Sequence, residues 1–204
     1  MRPLTSADSG LLSLTQAEGE SATSCVGDVS RGADRGFPLI SDSHSYQDRV
    51  YALMKSLPDG VKASALCEGY LNNYTWFFRP LSRGELFQEL LTPVLSYRNH
   101  SGHPFTGQKV ARPHGIAALF FIFAITTSTD QSHAAESDGY YQLGKMALSL
   151  DSIFDAPQLD TIQAISLMAA YMSNSDGKDA IEEGWSYLGL AVRLAISVSG
   201  VFVP

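Results

Sequence analysis

Cysteine and charge are both scarce in this chain. Only two cysteines, Cys25 and Cys67, occur among 204 residues, and neither has a second Cys or a His at the short spacing that a zinc site needs. Two inert thiols in a reducing compartment are the more common arrangement, and a disulfide between them is the alternative. Charged residues make up only 17% of the chain, which predicts helices that are buried on more than one side.

Positive charge is also neither abundant nor clustered. The net charge is -7, and the fourteen Lys and Arg residues are scattered along the sequence without forming a basic run. A protein that grips a phosphate backbone needs clustered cations. We therefore expect this chain to have no DNA-reading element of its own.

Long apolar runs are missing as well. The most apolar segment, residues 115–127, is too short to cross a bilayer and is typical of a buried core helix. The first residues lack the continuous apolar core of a signal peptide. We therefore expect an intracellular protein without a membrane segment, in which the glycosylation-type triplets at Asn73 and Asn99 occur by chance.

What the sequence does contain is helical periodicity. Residues 1–45 are rich in Ser, Gly and Asp, have no sustained period, and are interpreted as a disordered tail or linker. Residues 46–198 carry apolar side chains three or four residues apart, broken by turn signals, and no strand pattern. The fold class predicted is all-α, built from antiparallel helical hairpins, with residues 199–204 as a short terminal tail.

Several helix boundaries carry their own signals. Ser82 and Glu85 form a capping-box pattern, and Pro93 is expected to limit or bend the helix that follows. Pro113 suits the first turn of a helix, although periodicity alone leaves the apolar run after it ambiguous between strand and helix. Asp160 with Gln163 resembles a second capping arrangement.

A search for catalytic chemistry finds no constellation. His100 and His103 form an H-x-x-H pair, but they lie in a loop with no carboxylate or Cys at ligand spacing. Ser186 stands in a Gly-x-Ser pattern without the second glycine of a nucleophile elbow. Glu182 and Glu183 are adjacent, so on a helix they point about 100° apart. We predict no catalytic, cofactor-binding or metal-binding residues and no enzyme activity.

A cluster of five aromatic residues has three possible interpretations. It contains two tyrosines, a tryptophan and two phenylalanines: Tyr70, Tyr74, Trp76, Phe77 and Phe78. A nucleic-acid stacking platform would have interleaved cations, and only Arg79 and Arg83 are near. Core packing is the default interpretation. An apolar cavity between helices that holds a small effector remains the functional alternative.

Five segments, in order, resemble the fungal-specific transcription factor domain, the regulatory region of binuclear zinc-cluster activators such as those of xylan breakdown. Residues 66–80 resemble its first helix, and residues 113–121 its buried central helix. Residues 140–148 and 161–171 are similar to the next two helices. Residues 185–197, from Trp185 to Ser197, resemble its best-known signature. No single segment is diagnostic, and the specificity of the resemblance comes from the order of the set.

The resemblance implies a nuclear, all-helical regulatory domain that modulates DNA-templated transcription. It implies protein partners or self-association, a small-molecule effector, and DNA contact only through a separate module. Full-length members bind zinc through six cysteines, whereas this chain has two, so no zinc or other cofactor is expected here. The resemblance implies no active-site residues.

Two alternatives accompany this interpretation. The first alternative is a helical protein-interaction scaffold. The second is a non-functional truncated product of a gene for such a transcription factor. The second follows from Ser199, where the family pattern stops and the sequence Ser-Gly-Val-Phe-Val-Pro replaces it. Truncation would leave the apolar faces of Trp185 and Leu188 partly uncovered, which favours association. An enzyme would require a polar constellation that the sequence lacks.

Overall fold

The computed structural model describes residues 43–75, 78–99, 112–174 and 178–200, except for the side chains of residues 43–45, 99, 131 and 178. These ranges are helical and contain no strand, which confirms the all-α prediction. A π-helical segment, Glu85–Leu91, precedes the third α-helix, and a 3-10 turn, Gln131–His133, precedes the fifth. The α-helices are α1 (Ser43–Lys55), α2 (Gly60–Asn73), α3 (Thr92–Asn99), α4 (Pro113–Thr127), α5 (Ala134–Leu148), α6 (Leu159–Ser173) and α7 (Lys178–Ser199).

The centre of the fold is α4, and fourteen of its fifteen residues are buried. Pro113 occupies the first turn, where its missing N–H is not needed for a helical hydrogen bond. The apolar run therefore forms a helix rather than a strand, as its alanines and its helical neighbours indicate. Helices α1, α2, α5 and α6 and the π-helical segment all pack against α4. No described helix combines the length and apolarity that crossing a membrane requires.

Two antiparallel hairpins build most of the core. In the first, the Ser137 hydroxyl of α5 donates to the Ala124 carbonyl of α4 at 2.9 Å, and the Phe121 and Tyr141 rings lie 5.9 Å apart. Residue numbers increase along α5 as they decrease along α4 in these contacts, so the two helices are antiparallel. In the second hairpin, α6 and α7 pack along their length. Ile165 shares a small apolar cluster there with Ala191 and Leu194.

Buried polar groups tie the helices together. His114 Nδ1 lies 2.7 Å from the Thr161 hydroxyl oxygen, and His114 Nε2 lies 3.3 Å from the Asp151 carbonyl oxygen. The carbonyl can only accept, so the hydrogen bond to Asp151 requires a proton on Nε2. Gln163 donates to the Pro80 carbonyl at 3.0 Å. Among the residues that the structure describes, every buried side-chain nitrogen and oxygen has a partner, as a low-dielectric core requires.

The capping prediction is right at one helix and wrong at another. The Ser82 N–H donates to Glu85 Oε2 at 2.7 Å and the Glu85 N–H donates to the Ser82 hydroxyl at 3.2 Å, which confirms that capping box. The predicted pairing of Asp160 with Gln163 is wrong, because α6 begins earlier. Gln158 is its N-cap, and the Gln158 N–H donates to the Thr161 hydroxyl at 3.2 Å.

Other boundaries shift by a few residues. The first helix begins at Ser43, three residues before the predicted start at residue 46, and α7 ends at Ser199, one residue after residue 198. The chain stays helical across Pro93, so this proline does not end the helix. Immediately before it, the Thr92 N–H bonds to the Phe87 carbonyl, a five-residue spacing that marks the wider π turn. The predictions for residues 1–42, His100, His103 and residues 201–204 lie outside the described residues.

One glycine sets the distance between α4 and α5. A Cβ atom added at Gly144 would lie 2.6 Å from the Phe121 ring, which is itself fully buried. In the same helix, a Cβ atom added at Gly139 would meet nothing within 4 Å. The two positions therefore test close packing and helix propensity separately.

We predict that Gly144→Ala lowers the free energy of unfolding by about 1–3 kcal/mol, because the Phe121 ring must leave its packed position. Gly139→Ala, the matched control, should raise it by up to about 1 kcal/mol, because alanine favours an exposed helix interior. Urea unfolding followed by circular dichroism measures both. Equal stabilities for the two variants would contradict the close approach of α4 and α5.

Candidate ligand cleft

An apolar cleft opens between α2, α6 and α7. Its volume is about 440 Å³, within the range of sites that bind small molecules. Aromatic and aliphatic side chains form most of the lining, and short polar side chains form the rest. The lining residues are Tyr70, Asn73, Tyr74, Phe78, Ile125, Ser166, Ala169, Ala170, Ser173, Asn174, Ile181, Gly184, Trp185 and Leu188.

Two stacked tyrosines form one wall of this cleft. The rings of Tyr70 and Tyr74 lie 6.1 Å apart at an angle of 12°. They are on one side of α2 because they are four residues apart. Tyr70 is buried, its hydroxyl donates to the Phe78 carbonyl at 3.3 Å, and burial raises the pKa of that hydroxyl. Tyr74 and Phe78 are only half-buried, so they leave ring surface facing the cleft.

The opposite wall is open because its side chains are small. Ser166, Ala169, Ala170 and Ser173 recur at three- and four-residue spacing on α6, so they lie on one side of the helix. Facing them on α7 is Gly184, where an added Cβ atom would lie 3.1 Å from the Ala169 carbonyl oxygen. A larger residue at position 184 would require α6 and α7 to shift apart slightly, so Gly184 favours their close approach beside the cleft.

The polarity of the lining indicates which ligands fit. None of the described residues that line the cleft carries a charge. The amides of Asn73 and Asn174 and the hydroxyl of Ser166 supply hydrogen-bonding groups. An uncharged apolar wall cannot compensate the desolvation of an ion. The arrangement therefore suits a neutral, largely apolar molecule that carries one or two polar groups.

Three of the five aromatic residues singled out in the sequence meet at this cleft. Tyr70, Tyr74 and Phe78 line it, whereas Trp76 and Phe77 lie outside the described residues. Sequence reasoning missed the contribution of Gly184 and of the small residues of α6. Their three- and four-residue spacing was a usable signal, but it does not reveal that α2 stands opposite.

Another depression lies elsewhere and has several charged side chains in its lining. It measures about 570 Å³ and is lined by charged side chains that include Glu85, Glu89, Arg112 and Asp160. Arg112 and Asp160 form a loose ion pair at 3.8 Å, with Arg112 about half exposed. Such a surface remains hydrated, and ion pairs of this kind contribute little to recognition or stability. The apolar cleft is the better candidate site.

The other reactive side chains have local partners of their own. Ser186 is inside α7, exposed, and its hydroxyl donates to the Glu182 carbonyl at 3.1 Å, so it does not stand at a strand-to-helix turn. Glu183 accepts from the Tyr187 hydroxyl at 3.0 Å. His133 is exposed beside Asp130 and Glu136. No group of three metal-ligating side chains converges within the described ranges.

Cys67 is a free, fully buried thiol on α2. Burial, with a smaller contribution from the nearby Glu68 carboxylate, raises the pKa of Cys67 to about 12. Because the thiolate is the reactive form, this cysteine is chemically inert at neutral pH. Cys25 lies outside the described residues.

Comparison with known proteins adds no relative. The chain matches no protein-family model, no curated protein and no solved structure.

We predict that the cleft binds the neutral fluorophore N-phenyl-1-naphthylamine and enhances its emission. Ala170→Phe should reduce that enhancement at least about tenfold, because the added ring occupies the cleft and excludes the probe. The Ser186→Ala variant, on an exposed position of α7 outside the lining, is the control and should bind like the parent chain. Equal titration curves for the parent chain and a folded Ala170→Phe variant would contradict this location for the site.

Proposed function

We propose that this chain is the regulatory domain of a fungal zinc-cluster transcription factor and modulates DNA-templated transcription without catalysis. One observation carries the proposal. Four of the five segments that resemble that domain lie within helices of the structure, in the order α4, α5, α6 and α7, and the first segment begins in α2 and continues past the end of that helix at Asn73. The order of these segments along the chain and their helical structure support the proposal.

The packing of these helices supports the same proposal. The segment that resembles the buried central helix lies in α4, the most buried helix. The segments at residues 161–171 and 185–197 lie in α6 and α7, which form a packed pair. The cleft lies between this pair and α2. A neutral effector bound there would contact three of the five helices, so its binding energy could shift how they pack.

The wider activity belongs to parts of the factor that this chain does not contain. DNA contact and zinc binding would reside in a cysteine cluster on a separate module, and the protein would act in the nucleus. This chain would transmit the state of its cleft, or of a protein partner, to that module. Such coupling requires a ligand that binds two arrangements of the helices with different affinity.

A second function, a helical protein-interaction scaffold, is favoured by a different observation. Trp185 on α7 is 68% exposed, and other apolar side chains accompany it along the same helix. Exposed aromatic residues of this kind often mark binding surfaces. This alternative needs no transcriptional role.

Fusion to an unrelated sequence-specific DNA-binding domain in fungal cells tests the proposal. On a reporter of intermediate basal activity, we expect the fusion to change output several-fold relative to the DNA-binding domain alone. Ala170→Phe should alter this response, because the cleft is filled, and Ser186→Ala should not. Unchanged reporter output from a fusion that is equally abundant and nuclear would refute the transcriptional proposal and favour the scaffold.

A further inference from the structure

An apolar stripe runs along the outer surface of α7. It consists of Ile181, Trp185, Leu188, Val192 and Ile196, which are three or four residues apart and therefore share one side of the helix. All except the half-buried Leu188 are 40–68% exposed. The stripe spans about 23 Å along the helix axis. A continuous apolar surface of this length is unusual on an isolated domain.

This stripe is distinct from the surface of α7 that already packs on α6. The packed surface contains Gly184, Ala191 and Leu194, which are buried. The stripe lies beside this packed surface on α7. One edge of the stripe therefore borders α6, and the other edge, called the free edge below, does not. The cleft reaches only part of the stripe, because Val192 and Ile196 are not among its lining residues.

Two opposite charges lie along the free edge. Glu182 and Arg193 are eleven residues apart, close to three full helical turns, so they project from the same side of α7. One is near the start of the helix and the other is near its end. Both are exposed, and neither side chain has an ion-pair partner among the described residues.

We propose that α7 packs against α7 of a second copy of this chain in antiparallel orientation. A two-fold axis through the centre of α7 places the start of one helix beside the end of the other. Each Glu182 then meets Arg193 of the other copy, so the opposite charges at the two ends of the edge attract each other. The apolar layers pair Ile181 with Val192 and Trp185 with Leu188. In a parallel two-fold pair the free edge of one α7 would instead face the α6-covered edge of the other, so Glu182 would not meet Arg193. This inference does not rest on the proposed transcriptional role.

A charge-reversal cycle on the full chain tests the proposal by sedimentation equilibrium. We expect the parent chain to be a dimer at micromolar concentration. Glu182→Arg and Arg193→Glu, each alone, should weaken dimerisation about tenfold or more, because attraction becomes repulsion at two symmetric positions. The double variant should recover the parent dissociation constant, because every ion pair is restored with reversed polarity.

Substitutions at the stripe and away from it complete the test. Val192→Glu, which places charge inside the apolar seam but outside the cleft, should give a folded monomer. Ser197→Glu adds the same charge away from the stripe and should remain dimeric. Circular dichroism confirms folding of each variant. A parent chain that is still monomeric at about 100 µM would overturn the proposal. This concentration is roughly a hundred times the Kd of a micromolar complex. A double variant that stays as weak as the single variants would also overturn it.

Discussion

The burial of almost every residue of α4 is the constraint on which the rest of the fold depends. A helix with fourteen buried residues out of fifteen must be enclosed on every side, because each exposed Phe or Ile side chain would forgo about 1.5–3 kcal/mol of burial. Five neighbouring elements therefore surround it. Their own apolar faces are oriented inward by this requirement, and α7, which packs on α6, is not among these five elements.

Small residues decide how closely the surrounding helices approach one another. Gly144 brings α5 against the Phe121 ring of α4, and Gly184 brings α7 against the backbone of α6. At the first position an aromatic ring fills the space that is created. At the second, small residues on both helices leave space that no side chain fills, and the apolar cleft is the result. The same device therefore produces tight packing in one hairpin and a candidate site beside the other.

Local signals in the sequence predicted the helices well. Apolar periodicity gave the fold class, and the box of Ser82 and Glu85 gave one helix start correctly. The start of α6 was misassigned because Asp160 and Gln163 have the right spacing, whereas Gln158 and Thr161 make the actual capping contacts. The π-helical turn before Pro93 has no known local pattern.

The candidate site was less accessible to sequence reasoning. The aromatic residues of α2 were identified, but core packing and a ligand cleft require the same residue types. The distinction depends on what stands opposite, and Tyr74 and Ala170 come from helices almost a hundred residues apart. The exposed stripe of α7 has the same periodicity as a buried one. Only the tertiary arrangement shows which apolar side of that helix meets α6 and which does not.

Native-state hydrogen exchange tests the central role of α4 most directly. Amides in its middle, from Ala117 to Ile125, should exchange only through global unfolding, with an opening free energy equal to the unfolding free energy from denaturant titration. Amides near the end of α7, around Val198, should exchange through much smaller local openings. If the α4 amides exchanged as quickly as those of α7, the account of a fold organised around this buried helix would be contradicted.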